Sequence, residues 1–137
     1  MKEVLSVDAA DLHLVAERLD PRGWVNLQPG VAEEDLPPPA GSLFGLFGGR
    51  GPMVPLCTWH RGERSAGLQH ATGPKLARRI DVPRGWRIVQ DHPRRGLVVR
   101  VPADVADLEV LRWLVDVGGG LCVVPTTGQW LAELHAP

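Results

Sequence analysis

The chain has no tyrosine and only two phenylalanines, so its aromatic content rests on five tryptophans. Binders of single-stranded nucleic acid present exposed aromatic rings as stacking platforms, and with tyrosine missing and the tryptophans expected in the core, that class is disfavoured. Cysteine is as scarce. Cys57 and Cys122 are too few for a disulfide framework, and each lies in an apolar, strand-like run where a free thiol acts as a small hydrophobe. No run is long and apolar enough to span a membrane. The opening Met1-Lys2-Glu3-Val4-Leu5 has no extended apolar region and no cleavage signature, which points to the cytoplasm.

What the chain does have is ordinary globular composition, with 44% hydrophobic and 23% charged residues in 137. That length suits a single domain over 1–137 with a core of its own. Thirteen prolines and 16 glycines make turns frequent. One stretch is written twice: Ala16-Glu17-Arg18-Leu19-Asp20-Pro21-Arg22-Gly23-Trp24 returns as Ala77-Arg78-Arg79-Ile80-Asp81-Val82-Pro83-Arg84-Gly85-Trp86, with Val82 inserted. Each copy reads as a helix end, a turn and a strand start. Proline stops the helix, glycine allows the turn and tryptophan opens an apolar run. A fainter copy pairs Asp8, Asp11 and Leu12 with Asp104, Asp107 and Leu108, and Asp20, Gly23 and Pro29 with Asp116, Gly119 and Pro125. Repeated helix-turn-strand units are therefore expected. Such repeats report duplicated architecture before a shared site.

The net charge of -1 hides three blocks. Residues 1–49 hold 3 basic and 8 acidic side chains (-5), residues 50–100 hold 11 and 3 (+8), and residues 101–137 hold 1 and 5 (-4). A cationic middle between anionic flanks fits an anion-binding face. It fits equally well a fold in which the blocks attract one another.

Asp8 to Leu19 reads as a helix capped by Asp8, with Leu12, Val15, Ala16 and Leu19 on one face. Residues 29–52 form a long Pro/Gly-rich connection with Pro37-Pro38-Pro39 at its centre. Its glycines resemble a phosphate loop only superficially, since no Lys-Ser or Lys-Thr follows. Leu43, Phe44, Leu46, Phe47 and Arg50 make it a candidate partner-binding loop, unless the phenylalanines fold back onto the core. Val54 to His70 reads as a hairpin around Arg61-Gly62-Glu63-Arg64, with Cys57 facing Leu68 and Trp59 facing Ala66. Cys57 and His60 have zinc-ligand spacing, but residues three apart on a strand point to opposite faces, so no metal site is expected. Gly73 to Ile80 allows only a short helix. In the hairpin of Trp86 to Val101, Ile88 faces Val99 and Trp86 faces Val101, while Arg87 sits opposite Arg100. Like charges across a ladder need relief, from a carboxylate, a partner or an anion. Arg84, Arg87, Arg94, Arg95 and Arg100 are accordingly the candidate anion-binding residues. Asp104 to Val117 reads as a helix stopped by Gly118-Gly119-Gly120, followed by buried strand Leu121 to Val124 and a last strand around Trp130 to Leu134.

This order predicts an α+β fold, a mainly antiparallel sheet with helices on one face. Over Ser65 to Val124 it spells a ferredoxin-like (split βαβ) core with extra strands. The buried face would hold Trp86, Ile88, Val99 and Val101, and the open face Arg87, Arg100, His60 and Gln69. The functional expectation is a non-catalytic binding or interaction module with a protein partner or a second copy. The alternatives are anion or nucleic-acid binding through the arginines, and an enzyme built from His60, His70, His92, Asp91, Glu63 and Cys57. No nucleophile, base and orienting group stand out together, and no cofactor is expected.

Overall fold

The computed structural model describes residues 2–35 and 52–137. The first part contains β1 (Lys2–Asp8), a 3-10 turn (Ala9–Asp11), α1 (Leu12–Arg18), β2 (Trp24–Pro29) and a second 3-10 turn (Glu33–Asp35). The second contains β3 (Leu56–His60), β4 (Ser65–Gln69), a 3-10 turn (Leu76–Arg78), β5 (Arg87–His92), β6 (Gly96–Arg100), α2 (Asp107–Leu121) and β7 (Gln129–His135). The seven strands make one sheet in the order β1-β7-β2-β3-β4-β6-β5, antiparallel at every pair. The fold is α+β. No helix among the described residues is long and apolar enough to cross a membrane.

Strand alternation decides what the sheet buries. Val25, Leu27, Cys57, Trp59, Ala66, Leu68, Leu97, Val99, Ala132 and Leu134 share one parity and are all buried. Both helices cover that face. Leu12 and Val15 from α1, and Val110, Leu111, Leu114 and Val115 from α2, complete the core. The β3–β4 hairpin has the expected register, Cys57 opposite Leu68 and Trp59 opposite Ala66. Asp8 caps the first turn by accepting a 2.7 Å hydrogen bond from the Ala10 amide.

Several expectations give way. The split βαβ core is not formed. β4, β6 and β5 lie in the order and the antiparallel sense that arrangement requires, but the place beside β4 that its fourth strand would take is filled by β3. Two local causes can be named. The helix expected over 73–80 shrinks to the three residues Leu76–Arg78, and no strand forms over 121–124, where Val123 is exposed. The third repeat unit therefore lacks its strand. The first two copies differ as well. The turn of the first closes from the Gly23 amide to the Asp20 carbonyl, that of the second from the Trp86 amide to the Pro83 carbonyl. The inserted Val82 moves proline from the second turn position to the first and puts Gly85 at the third, with φ +90°.

Ile88, expected in the core, is 43% exposed. β5 is an edge strand, and a bulge between Ile88 and Gln90 breaks its ladder there. Nor does Asp104 cap α2. Arg64 donates 2.6 Å bonds to the carbonyls of Pro102 and Val105 and holds them in a turn, so the helix begins at Asp107.

The three glycines do not stop α2, which runs through them to Leu121. At Gly118 the helix lies close against the sheet. A Cβ there would meet Cys57 Sγ at 2.6 Å and the Trp130 ring at 3.5 Å. Gly118→Ala therefore adds a better helix former yet is expected to destabilise the fold by about 1–3 kcal/mol. Combining it with Cys57→Ala should recover much of that loss, and denaturant unfolding of the four proteins in the cycle measures the coupling.

Candidate functional site

Among the described residues, no helix lies on the opposite face of the sheet. There the antiparallel registers bring one row of side chains into line across all seven strands: Lys2, His135, Trp24, His60, Ser65, Arg100 and Arg87. Neighbouring strands lie about 4.8 Å apart, which suits flat rings stacked side by side. Trp24 is half-buried between two imidazoles. The His135 ring lies 4.9 Å from it at 6°, and the His60 ring 5.6 Å at 10°. His135 is held from the next residue but one: its Nε2 is 2.7 Å from Glu133 Oε1, and Lys2 Nζ approaches the same carboxylate at 3.8 Å. His60 Nδ1 accepts the Glu63 amide at 3.3 Å, and Thr58 donates to Asn26 at 2.9 Å.

Beside this stack the face dips into a hollow of about 210 Å³. His60 and Thr58 on β3 form one wall, Ser65, Gly67 and Gln69 on β4 the floor, and Val98 and Arg95 the far side. Gly67 stands between Thr58 and Val98 in the ladders, so the floor carries no side chain at its centre.

The five candidate arginines are all exposed, but they do not form one cluster. Arg87 and Arg100 are direct cross-strand partners, as the hairpin pattern requires. No carboxylate relieves them among the described residues; Arg100 donates to the Glu63 carbonyl at 3.3 Å. Arg84 lies just before β5, near that end. Arg94 and Arg95 sit in the β5–β6 turn at the other end of the hairpin, a strand length of roughly 17 Å away. Leu43, Phe44, Leu46, Phe47 and Arg50 lie outside the described residues.

The candidate catalytic groups are scattered. Cys57 faces the helices and His60 the open side, so they cannot share an ion. Burial pushes the Cys57 thiol up to about 12, which keeps it protonated at neutral pH. Asp91 accepts the amides of Leu76 and Ala77 at 3.0 Å each and caps that 3-10 turn. His92 Nδ1 accepts the amides of Arg94 and Arg95 at 3.1 Å and shapes the hairpin turn. No cluster of three or more potential metal ligands occurs among the described residues.

The expectation that the tryptophans are buried fails at Trp24, the residue around which the row is built. His60 and His135 both sit on the polar parity of their strands, which was the available sequence signal. Their meeting on Trp24 depends on β7 inserting between β1 and β2, which no local pattern encodes. Compared with known protein families, with curated proteins and with solved structures, the chain matches none.

His70, at the end of β4, is the one buried polar residue of the described core. Its Nδ1 accepts the Thr72 amide at 3.3 Å and lies 2.7 Å from Thr72 Oγ1, which leaves the proton on Nε2. Nε2 has no partner. Burial lowers the His70 pKa from its ordinary 6.5, outweighing the opposing pull of Asp91, and Arg79 acts in the same direction as burial. The folded state thus binds fewer protons than the unfolded chain. The stability this group leaves intact is fully present above about pH 6.5 and declines as pH falls through that value toward the folded pKa. Urea midpoints should be lower at pH 5 than at pH 7.5, and His70→Leu should shrink that difference.

Proposed function

We propose that this protein is a non-catalytic binding module of the cytoplasm that engages its partner through the open face of the sheet, and that a second copy of the chain is the first partner to test. The observation that carries this reading is the asymmetry of the sheet. One face is closed by both helices, while the other keeps a stacked His135-Trp24-His60 strip flanked by exposed apolar residues. Val4 is 51% exposed and Leu131 44%, and they sit diagonally across the β1–β7 ladder on the open side. Exposed apolar groups next to a partly buried aromatic strip are the ingredients of an interface core with a polar rim. A face presented twice, related by a two-fold axis, meets itself without leaving open ends. The two free cysteines suit a reducing compartment.

A second reading, anion or nucleic-acid binding, is favoured by the Arg87–Arg100 pair, which shares the same row and has no carboxylate partner among the described residues. Trp24 does not serve it as a base-stacking platform, because imidazoles already cover both faces of its ring. The enzyme reading receives least support, since none of its candidate histidines shares an acid with another.

Sedimentation velocity over a concentration series tests the main reading. The wild type is expected to associate, and Leu131→Lys, which faces solvent in the monomer, to remain monomeric with unchanged melting temperature. A wild type that stays monomeric, but binds a single-stranded oligonucleotide with affinity falling steeply as salt rises, would shift the reading to the arginine pair.

A further inference from the structure

We infer that the hollow over Gly67 is a binding site for a small, planar monocarboxylate, an aromatic acid in chemical class. It lies over β3, β4 and β6, away from the Val4–Leu131 corner, and it stands whether or not the chain self-associates.

Gly67 lies in the middle of β4, paired on both sides. Glycine in a strand interior weakens it, because the residue loses the most conformational freedom and packs no side chain. Usually the backbone explains the choice, and here it does not. Gly67 does not have a positive φ, and a Cβ built on it meets only the Leu97 carbonyl oxygen, at 3.8 Å, an ordinary contact. Gly96, on the neighbouring strand, shows the contrast, with φ +88° and no room for a Cβ against the Leu68 backbone. Gly67 is tolerated by the fold without being required by it. Its effect is to leave a bare patch of sheet where any other residue would place a side chain, and that patch is the floor of the hollow. A close approach by a flat group is what such a floor accommodates.

The walls define the occupant. Among the described residues, Arg95 is the one permanent cation on the lining, and no acidic side chain lines the hollow. Arg95 forms no ion pair among the described residues. Its backbone is fixed, because Gln90 Nε2 donates to the carbonyls of Arg95 and Gly96 at 3.2 and 3.3 Å. A guanidinium in that position matches a carboxylate in the two-pronged manner that arginine favours. With one permanent positive charge, the complement is a monoanion. Leu56 and Val98 supply apolar sides for a ring, and Ser65, Thr58 and His60 supply hydrogen-bonding groups along the β3–β4 end of the hollow. At about 210 Å³ the space falls below the range of drug-sized pockets and suits a single ring with its substituents.

The test is an NMR titration of the ¹⁵N-labelled full chain with benzoate, benzamide and acetate. Benzoate is expected to give saturable shifts at the amides of Ser65, Gly67, Gln69 and Arg95, with affinity in the millimolar range. Benzamide, the same shape without the charge, should bind about tenfold more weakly. Acetate, with the charge but no ring, should be weaker than benzoate. Arg95→Gln should reduce benzoate to the level of benzamide. Gly67→Val should abolish binding of both while melting no lower than the wild type, since a β-branched residue suits a strand. Equal affinity for benzoate and benzamide, absence of saturable shifts at those amides, or undiminished binding in Gly67→Val would each overturn the assignment. Sedimentation of the same samples separates this result from the self-association question.

Discussion

The carboxylate of Asp107 is the point at which the helix layer and the sheet are locked in register. It accepts the indole N–H of Trp59 at 2.8 Å, lies 3.0 Å from Arg61 Nε and takes a longer 3.9 Å approach from Arg64. All three donors come from the β3–β4 hairpin, and the acceptor stands in the first turn of α2, where the helix dipole also favours negative charge. Arg64 is fixed from above by two carbonyls and from below by the Trp59 ring, 4.9 Å from its guanidinium carbon. Held in this way, α2 lies over the middle of the sheet, and the close approach at Gly118 follows from where its first turn is pinned. Charge-assisted bonds in a partly buried setting carry more weight than surface ion pairs, because leaving any member unpaired exposes a desolvated group.

That lock has a consequence for the other face. With α1 and α2 both committed to one side, the sheet is covered asymmetrically, and polar parity runs uninterrupted from Lys2 to Arg87. The sheet order also turns the linear charge blocks into a spatial gradient. Both acidic chain ends supply strands to one side of the sheet, β1 and β7, while the basic middle supplies β4, β6 and β5 on the other. The blocks meet where Arg61 and Arg64 reach Asp107, but Arg84, Arg87, Arg94 and Arg95 form no ion pair among the described residues. Mutual attraction of the blocks therefore accounts for the hub at Asp107 and leaves most of the cationic side unneutralised.

What could be read from the sequence was local. The β3–β4 hairpin came out in register because its alternation is clean and its turn is bounded by Arg61 and Arg64. The Arg87–Arg100 pairing came out for the same reason, but the bulge beyond Ile88 did not, because an extra residue in an edge strand leaves no mark on the pattern. β1 was not anticipated: Lys2 to Asp8 alternates poorly, and its strand character comes from pairing with β7, more than a hundred residues away. The glycine run at 118–120 reads as a helix stop by propensity, and packing against Cys57 and Trp130 overrides it. The split βαβ reading failed because two of its elements do not form: the helix over 73–80 is a three-residue turn, and no strand follows α2 over 121–124.

The same division applies to function. Chemistry-bearing residues that are near in sequence, such as Asp91 and His92, have structural work as a cap and a turn acceptor. The groups that share a surface come from distant segments, with His135, Trp24, His60, Arg100 and Arg87 drawn from five strands. A row of that kind arises only when registers across several ladders agree, and each ladder is set by the buried parity on the opposite face. The open face is thus a by-product of how the core aligns its strands, except at Gly67. There the core makes no demand, the backbone makes no demand, and the residue still lacks a side chain. A position that the fold leaves free, filled by a residue that weakens a strand, is the place where the sequence departs from what folding alone requires.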